Sequence, residues 1–457
     1  MILTRRASRV ATIVTVLLAF TAVAAWAHAR LVRSDPPKDA RLVWQPAVIL
    51  LEFSEAVAAP TSRVDLVAPD SQRLALVVHG DSAGNRKVLL ADVPALPSSG
   101  SYRVEWRLIG PDGHAMTGNY SFSIDSVAGQ RSMSPVDSAP RRTASPPSAI
   151  VAPDSVLQQV TRFLWIIALL VVLGSTSLFV AVLSRVHANG ARSEFHEGMS
   201  EQLRSWIGIG AWVLLILAFV RLTSQALVLS GSQSIRVSDV TGIIAGSTWG
   251  RGWLVFVAAT IAVLVFTTKR TQTRSPWPKL VGSCAVLAIA SPFLGHPAAT
   301  AAAPLAMSMD ALHVAAAGGW GGALLMLALV GMPRMMAVER DQRASMLSAL
   351  LRAFSPVALS CAAVLVVTGA VEAWLQLGSV SALWTSEYGQ ALVRKLVFVM
   401  LVAVLGAYHW RFAQPSLSSE RSLTALRWSI ALDVVFLLAV LALTAILTGT
   451  APPASVS

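Results

Sequence analysis

The chain has 457 residues, 54% of them hydrophobic and only 13% charged, with a formal net charge of +12. Soluble domains carry about 25% charged residues, so this composition excludes a wholly soluble protein and points to membrane spans. The basic residues lie between apolar stretches, so the positive charge reads as a topology signal and not as a nucleic-acid footprint.

Arg5, Arg6 and Arg9 precede an apolar run from Val10 to Ala25, which ends in Ala25-Trp26-Ala27. A basic start, an apolar stretch and an A-x-A site define a secretory signal peptide over residues 1–27. Cleavage after Ala27 makes His28 the first mature residue. A free N-terminal histidine offers its α-amine and an imidazole nitrogen to one metal ion, and such a nitrogen chelate suits tetragonal Cu(II). On position alone, an ordinary exposed histidine is the simpler account.

From His28 to Ile124 the apolar residues follow period two. Val48–Phe53, Arg63–Val67, Leu74–Val78, Val88–Ala91, Tyr102–Ile109 and Tyr120–Ile124 are the predicted strands. Turn signals separate them, among them Pro36-Pro37, His79-Gly80-Asp81 and Pro111-Asp112-Gly113. Short strands at this spacing predict an all-β sandwich or barrel over residues 28–124. Residues 125–155 are rich in Ser, Pro and Ala and form a linker.

Eight apolar stretches follow within residues 156–453, each near the length that crosses a ~30 Å hydrocarbon layer. They are Val156–Leu183, Trp206–Leu229, Gly252–Thr267, Leu280–Gly295, Ala311–Met332, Phe354–Gln376, Val393–Trp410 and Trp428–Leu447. Alternate loops carry the arginines and lysines, including Arg185, Lys269, Arg334 and Arg411. The positive-inside rule puts those loops in the cytoplasm, and the β domain and C-terminus outside. This predicts a polytopic all-α bundle in the cytoplasmic membrane behind an exported domain.

Few residues can carry chemistry. Cys284 and Cys361 are the only cysteines and both lie in apolar stretches, which argues against a disulfide framework or a thiolate metal cage. No Walker A sequence and no C-x-x-C occurs, so an ATP-driven pump is not expected. Asp112-Gly113-His114 places two ligand types two residues apart, on one face of an extended backbone. Alone, D-x-H is a weak signal; a free His28 in the same domain strengthens it.

Three segments of the β domain carry a family resemblance: His28-Ala-Arg-Leu-Val-Arg-Ser-Asp-Pro-Pro-Lys-Asp-Ala, Leu51-Glu-Phe-Ser-Glu-Ala-Val, and Gly110-Pro-Asp-Gly-His-Ala-Met-Thr-Gly-Asn-Tyr-Ser-Phe. They resemble the CopC family of exported copper-binding domains with a Greek-key β sandwich. The resemblance implies a Cu(II) site made by His28, through amine and imidazole, with Asp112 and His114. It departs from the methionine-rich members: Met116 is the sole methionine between His28 and Ile124, which argues against a separate Met-cluster Cu(I) site. His79 matches no motif position and reads as a solvated turn residue.

The second half is similar to the CopD family through Gly295-His-Pro, Asp310-Ala-Leu-His with the glycine-rich run to Leu324, Thr368-Gly, Tyr388-Gly, Lys395 and Asp433. A CopC domain fused ahead of CopD is a known arrangement, associated with copper uptake or resistance. His296 at the end of the fourth span and His313 one turn into the fifth face the β domain, with Met307 and Met309 in the connecting loop. Histidine with thioether suits a copper entry site, and Cu(I) is the form expected in the membrane. Helix packing with methionine as filler is the alternative. His409 and Asp433 complete the candidate path. Glu372, Arg394 and Lys395 are further charges in or beside spans, read as helix pairing or as an ion path. Gly318-Gly319-Trp320-Gly321-Gly322 is read as close helix packing. Trp249, Trp253, Trp384 and Trp410 are read as an interfacial belt.

Together these predict a non-enzymatic copper transport protein, with import favoured. The alternatives are copper resistance by sequestration or export, and a haem-bearing electron-transfer protein. The expected partners are copper ions, the lipid bilayer and an exported copper chaperone or reductase, with no nucleic acid.

Overall fold

The computed structural model describes residues 31–125 and 156–450, with breaks at 55, 83, 111–114, 186–190, 232–233, 269–274, 296, 298–301 and 409–419, together with residue 453. The signal peptide, His28, Asp112, His114, His296, His409, Trp410 and most of the linker lie outside the described residues.

The N-terminal domain is a β sandwich. One sheet contains β1 (Leu31–Asp35), β3 (Val48–Phe53), β7 (Val88–Asp92) and β6 (Val77–Gly80), in the order β1-β3-β7-β6. The other contains β2 (Arg41–Leu42), β9 (Ala115–Ile124), β8 (Gly100–Ile109), β4 (Ser62–Val67) and β5 (Arg73–Ala75), in the order β2-β9-β8-β4-β5. Period two turns Ile49, Leu51 and Phe53 inward from one sheet and Tyr102, Val104, Trp106 and Leu108 from the other. Phe53 meets Trp106 edge-on and Trp106 meets Tyr120, so aromatic rings bridge the sheets.

The predicted strand Leu74–Val78 is two strands. β5 pairs with β4 and β6 pairs with β7, so the chain changes sheets at Leu76. His79 lies on β6, exposed, with Nε2 3.0 Å from Asp92 Oδ1, and not in a turn. β1 escaped the period-two reading because its register is broken by a bulge between Leu31 and Arg33.

Gly118 on β9 lies beneath Trp106. A Cβ there would sit 2.1 Å from Trp106 Cζ2. Gly118→Val is therefore expected to destabilise the β domain by about 1–3 kcal/mol, the usual cost of overpacking. Thermal unfolding of the full chain, followed by tryptophan fluorescence, measures it; an unchanged midpoint sinks the expectation.

Among the described residues, eight helical segments are long and apolar enough to cross a membrane. The main helices are α1 (Val156–Ser177), α2 (Ala191–Ser230), α3 (Val237–Gly246), α4 (Thr248–Thr268), α5 (Trp277–Ala290), α6 (Ala303–Ala317), α7 (Arg340–Leu377), α8 (Glu387–Tyr408) and α9 (Glu420–Leu447). α3 is a short apolar helix and not a span. The fifth span runs from α6 to Ala337 through Ala323–Met326 and Met332–Ala337, with π-helical turns at Gly318–Gly322 and Leu327–Gly331.

The fifth span starts earlier than the apolar pattern suggested. It opens at Ala303, with Pro304 in the first turn, where a missing N–H costs nothing. Ser308 and Asp310 interrupt the apolar run and hid this start. Met307 and Met309 consequently lie on the helix, not in a loop. His313 is about three turns in, not one.

The glycine-rich run packs closely, as expected. A Cβ on Gly174 would meet the Gly322 backbone carbon at 2.1 Å, so α1 and the fifth span touch backbone to backbone. The tryptophan reading is corrected in part. Trp249 and Trp253 are buried inside the protein, at 0% and 5% exposure, and Trp253 Nε1 donates to the Ala218 carbonyl at 2.9 Å. Only Trp384, of these, is described as exposed. Cys284 and Cys361 are both free, Cys284 beside Thr176 and Cys361 beside Gly319.

Candidate functional site

Two regions bear on function: one end of the β sandwich, and the interior of the bundle on the side nearest that domain.

The segments that carry the expected ligands His28, Asp112 and His114 lie outside the described residues, but the strands that lead into them are described. Leu31, the first residue of β1, pairs with Phe53. Phe53 touches Trp106, whose register partner is Gly118. Further along β1, Ser34 and Asp35 lie beside the hydroxyl of Tyr120. Moving from Asp35 back to Leu31 thus runs in the same direction as moving from Tyr120 towards Ala115. The start of β1 and the Ile109–Ala115 end of the β8–β9 hairpin are at the same end of the sandwich. Burial raises Tyr120 above the ordinary phenol range; the Ser34 hydroxyl opposes this and the Asp35 charge adds to it. The phenol therefore stays neutral at physiological pH.

That same end of the sandwich faces the helices. The Thr61 hydroxyl donates to the Ile109 carbonyl at 3.0 Å, tying the 3-10 turn Ala59–Thr61 to the end of β8. Ile109 itself is buried in the hydrophobic core of the helical domain. Arg63 on β4 makes an ion pair of 2.6 Å with Asp239 on α3.

Inside the bundle, α6, α7 and α8 bring polar groups together. His313 Nδ1 lies 2.9 Å from the Thr368 hydroxyl, which itself donates to the Val364 carbonyl at 2.8 Å. Asp310 and Glu372 are in electrostatic reach of each other and of Lys395. Tyr388 donates to Gln376 and feels both carboxylates. Glu372 Oε1 is buried without a hydrogen-bond partner among the described residues. The arrangement is two acidic side chains and one lysine within an apolar bundle, with incomplete direct bonding among the described residues. Charges so placed are costly unless they compensate one another.

Met309 and His313 are four residues apart and share a face of α6, and Asp310 lies one turn before His313. Met307 and Met309 are half-buried. Asp433 is buried at 2% exposure, about four turns into α9, because that helix begins at Glu420. Among the described residues, no group of three or more His, Cys, Asp or Glu side chains comes together as a metal site. Sequence reasoning noted Glu372 and Lys395 singly and missed Asp310 as their partner. The available signal was three ionisable residues on three otherwise apolar helices, each needing compensation.

Arg221 on α2 braces the turn that precedes Gly295. Its Nη2 donates to the Leu294 carbonyl at 2.9 Å, and its guanidinium stands over Trp165 and Trp249 at 5.1 and 5.9 Å. Leu294 closes the turn Ser291–Leu294, just before Gly295-His296-Pro297. Arginine suits this place because its planar fork stacks on aromatic rings while it donates.

The fold therefore defines a multi-span membrane protein with a β-sandwich domain seated on one end of its bundle. Three family models match in chain order: CopC domain over residues 31–125, Copper resistance protein D-like, N-terminal domain over 153–307, and Copper resistance protein D over 348–447. The chain is 24% identical over 445 residues to Copper transport protein CutJ of Bacillus subtilis, covering 94% of this chain and 76% of the relative. It is 32% identical over 120 residues to Copper resistance protein C of Xanthomonas campestris pv. juglandis, covering 25% of this chain and 92% of the relative. The crystal structure of CopC from Methylosinus trichosporium OB3b is 25% identical, with a TM-score of 0.21, over 23% of this chain and all of that one. The chain belongs to the copper transport and resistance family in which a CopC domain is fused to CopD domains.

Proposed function

We propose that this protein captures Cu(II) outside the cytoplasmic membrane and passes copper into its membrane domain for import. The observation that carries the reading is the joining, in one chain, of a CopC domain with a CopD bundle against which it is seated. Residues 1–27 act as a cleaved signal peptide, and residues 125–155 link the domains. His28, Asp112 and His114 hold the ion. The start of β1 and the end of the β8–β9 hairpin share one end of the sandwich, which supports these three residues as one site. The positive-inside pattern supports an extracytoplasmic β domain.

In the bundle, His296, His313, Met307, Met309, His409 and Asp433 line the copper path. Imidazole and thioether accept Cu(I), so reduction by an exported partner precedes entry. The protein carries copper and catalyses no reaction of its own.

Resistance by sequestration or export is the second reading, favoured by the names of the Copper resistance protein C relative and the Copper resistance protein D family model. Deleting the gene and measuring cell-associated copper separates them. Lower accumulation is expected. Hypersensitivity with higher accumulation supports resistance instead, and an unchanged copper content sinks both. A Soret band in the purified protein would revive a haem-bearing role.

A further inference from the structure

The β domain is seated on α3, the ten-residue helix between the second and third spans. Three separate contacts make the seat. Arg63 Nη2 reaches Asp239 Oδ1 at 2.6 Å, and the Asp239 side chain is only 2% exposed. Asp239 also accepts from the backbone N–H of Arg236 at 3.3 Å, so the first turn of α3 holds this carboxylate in place. Pro60 lies on the face formed by Gly242 and Gly246, one turn apart. A Cβ on Gly242 would be 2.8 Å from the Pro60 carbonyl oxygen, and one on Gly246 would be 2.7 Å from Pro60 Cβ. Asp239, Gly242 and Gly246 recur at helical spacing and share one face. The third contact is Arg107 on β8, which passes Gly231 beyond the end of α2; a Cβ there would be 2.2 Å from Arg107 Nη1. Arg107 is itself fixed by an ion pair with Asp65.

The tether does not impose this seat. Any flexible segment of 31 residues reaches roughly 30 Å on average, so segment length by itself selects no seat. Complementarity of charge and shape selects this one. The seat also adjoins the bundle mouth. Gly250, in the first turn of α4, packs on the Ile243 carbonyl of α3, and Gly252 packs on Phe293 in the turn before Gly295-His296-Pro297.

We infer that α3 is a docking platform that holds the ligand-bearing end of the β domain over the bundle, so that captured copper passes within the chain without release to solvent. This rests on the copper-capture reading above. Its structural part, the docked arrangement, is measured independently of copper.

The test uses the full chain in native membranes, with Cys284 and Cys361 replaced by alanine. Pro60→Cys with Gly246→Cys is expected to form a disulfide after a shift of about 1 Å, since the docked Cβ positions are closer than the ~3.8 Å that a disulfide spans. Adding Arg63→Glu puts two carboxylates together at the seat and is expected to lower the cross-link yield. In the chain without introduced cysteines, Arg63→Glu should reduce the chain-dependent change in cell copper severalfold, because an undocked domain presents its copper to the bundle at a lower effective concentration. Adding Asp239→Arg should restore both readouts, which a misfolded variant would not do. No cross-link in the parent pair overturns the docked arrangement. Unchanged copper handling after loss of the cross-link overturns the hand-off. Cu(II) EPR keeps the two ideas apart: the Arg63→Glu chain should retain the parent signal. A parent chain without that signal overturns the capture reading and the hand-off with it, while the cross-link yield still decides the seat.

Discussion

One residue added ahead of His28 in the mature chain is expected to weaken Cu(II) binding by at least about 10- to 100-fold, the range seen when a metal site loses ligand quality. The extra residue turns the His28 amine into an amide. An amide nitrogen has no lone pair to offer unless it first loses its proton, so the six-membered chelate ring through amine and imidazole is lost while the imidazole stays. His114→Ala should cost as much, because it removes one nitrogen ligand. Asp112→Asn should cost less, because it removes charge and keeps an oxygen. Every ligand must shed its proton to bind, so affinity falls as pH falls. Competition titration with Cu(II) EPR on the full mature chain reads all three. Equal affinity in the extended and parent chains would falsify the N-terminal chelate. The β-domain fold should be unaffected, since His28 precedes the first residue of β1.

Much of this architecture is legible in the sequence, for physical reasons. Period two in Val48–Phe53 and Tyr102–Ile109 survives because both strands bury one face against the opposite sheet. The eight spans are legible because hydrocarbon demands long apolar runs. What was hidden depends on tertiary context. Leu31–Asp35 breaks its own alternation at a bulge. α3 is ten residues long, too short to register as a span, and its Asp239 becomes meaningful only when Arg63, far earlier in the chain, arrives beside it. Trp249 looked interfacial because it sits at a span end, yet neighbouring helices cover it completely. The pairing of Asp310 with Glu372 and Lys395 is hidden for the same reason: three helices must pack before any of these charges finds a counterpart.

That pairing carries the second large effect. Lys395→Met is expected to destabilise the bundle by up to about 3–5 kcal/mol, the upper limit being the cost of leaving fully buried charge without its partner, because these side chains are half-buried. Asp310 and Glu372 then lose the Lys395 charge that both feel, and among the described residues Glu372 Oε1 has no hydrogen-bond partner. Methionine keeps the length and apolar stem of lysine, so packing is little changed and the loss is electrostatic. Glu372→Gln alone leaves Lys395 opposite Asp310, one charge of each sign, and should be milder. The double variant Lys395→Met with Glu372→Gln leaves one carboxylate instead of two and should recover part of the loss. The two substitutions therefore couple by at least about 1 kcal/mol in a double-mutant cycle. Thermal unfolding in detergent, converted to free energy near the midpoint, measures this coupling, and strictly additive losses would sink the compensated cluster. Copper handling gives a second readout with a different meaning. If the double variant regains stability but not copper handling, the charges do more than hold three helices together. Their position supports that outcome, because Asp310 lies one turn from His313 on α6 and the other two charges come from the helices packed around it.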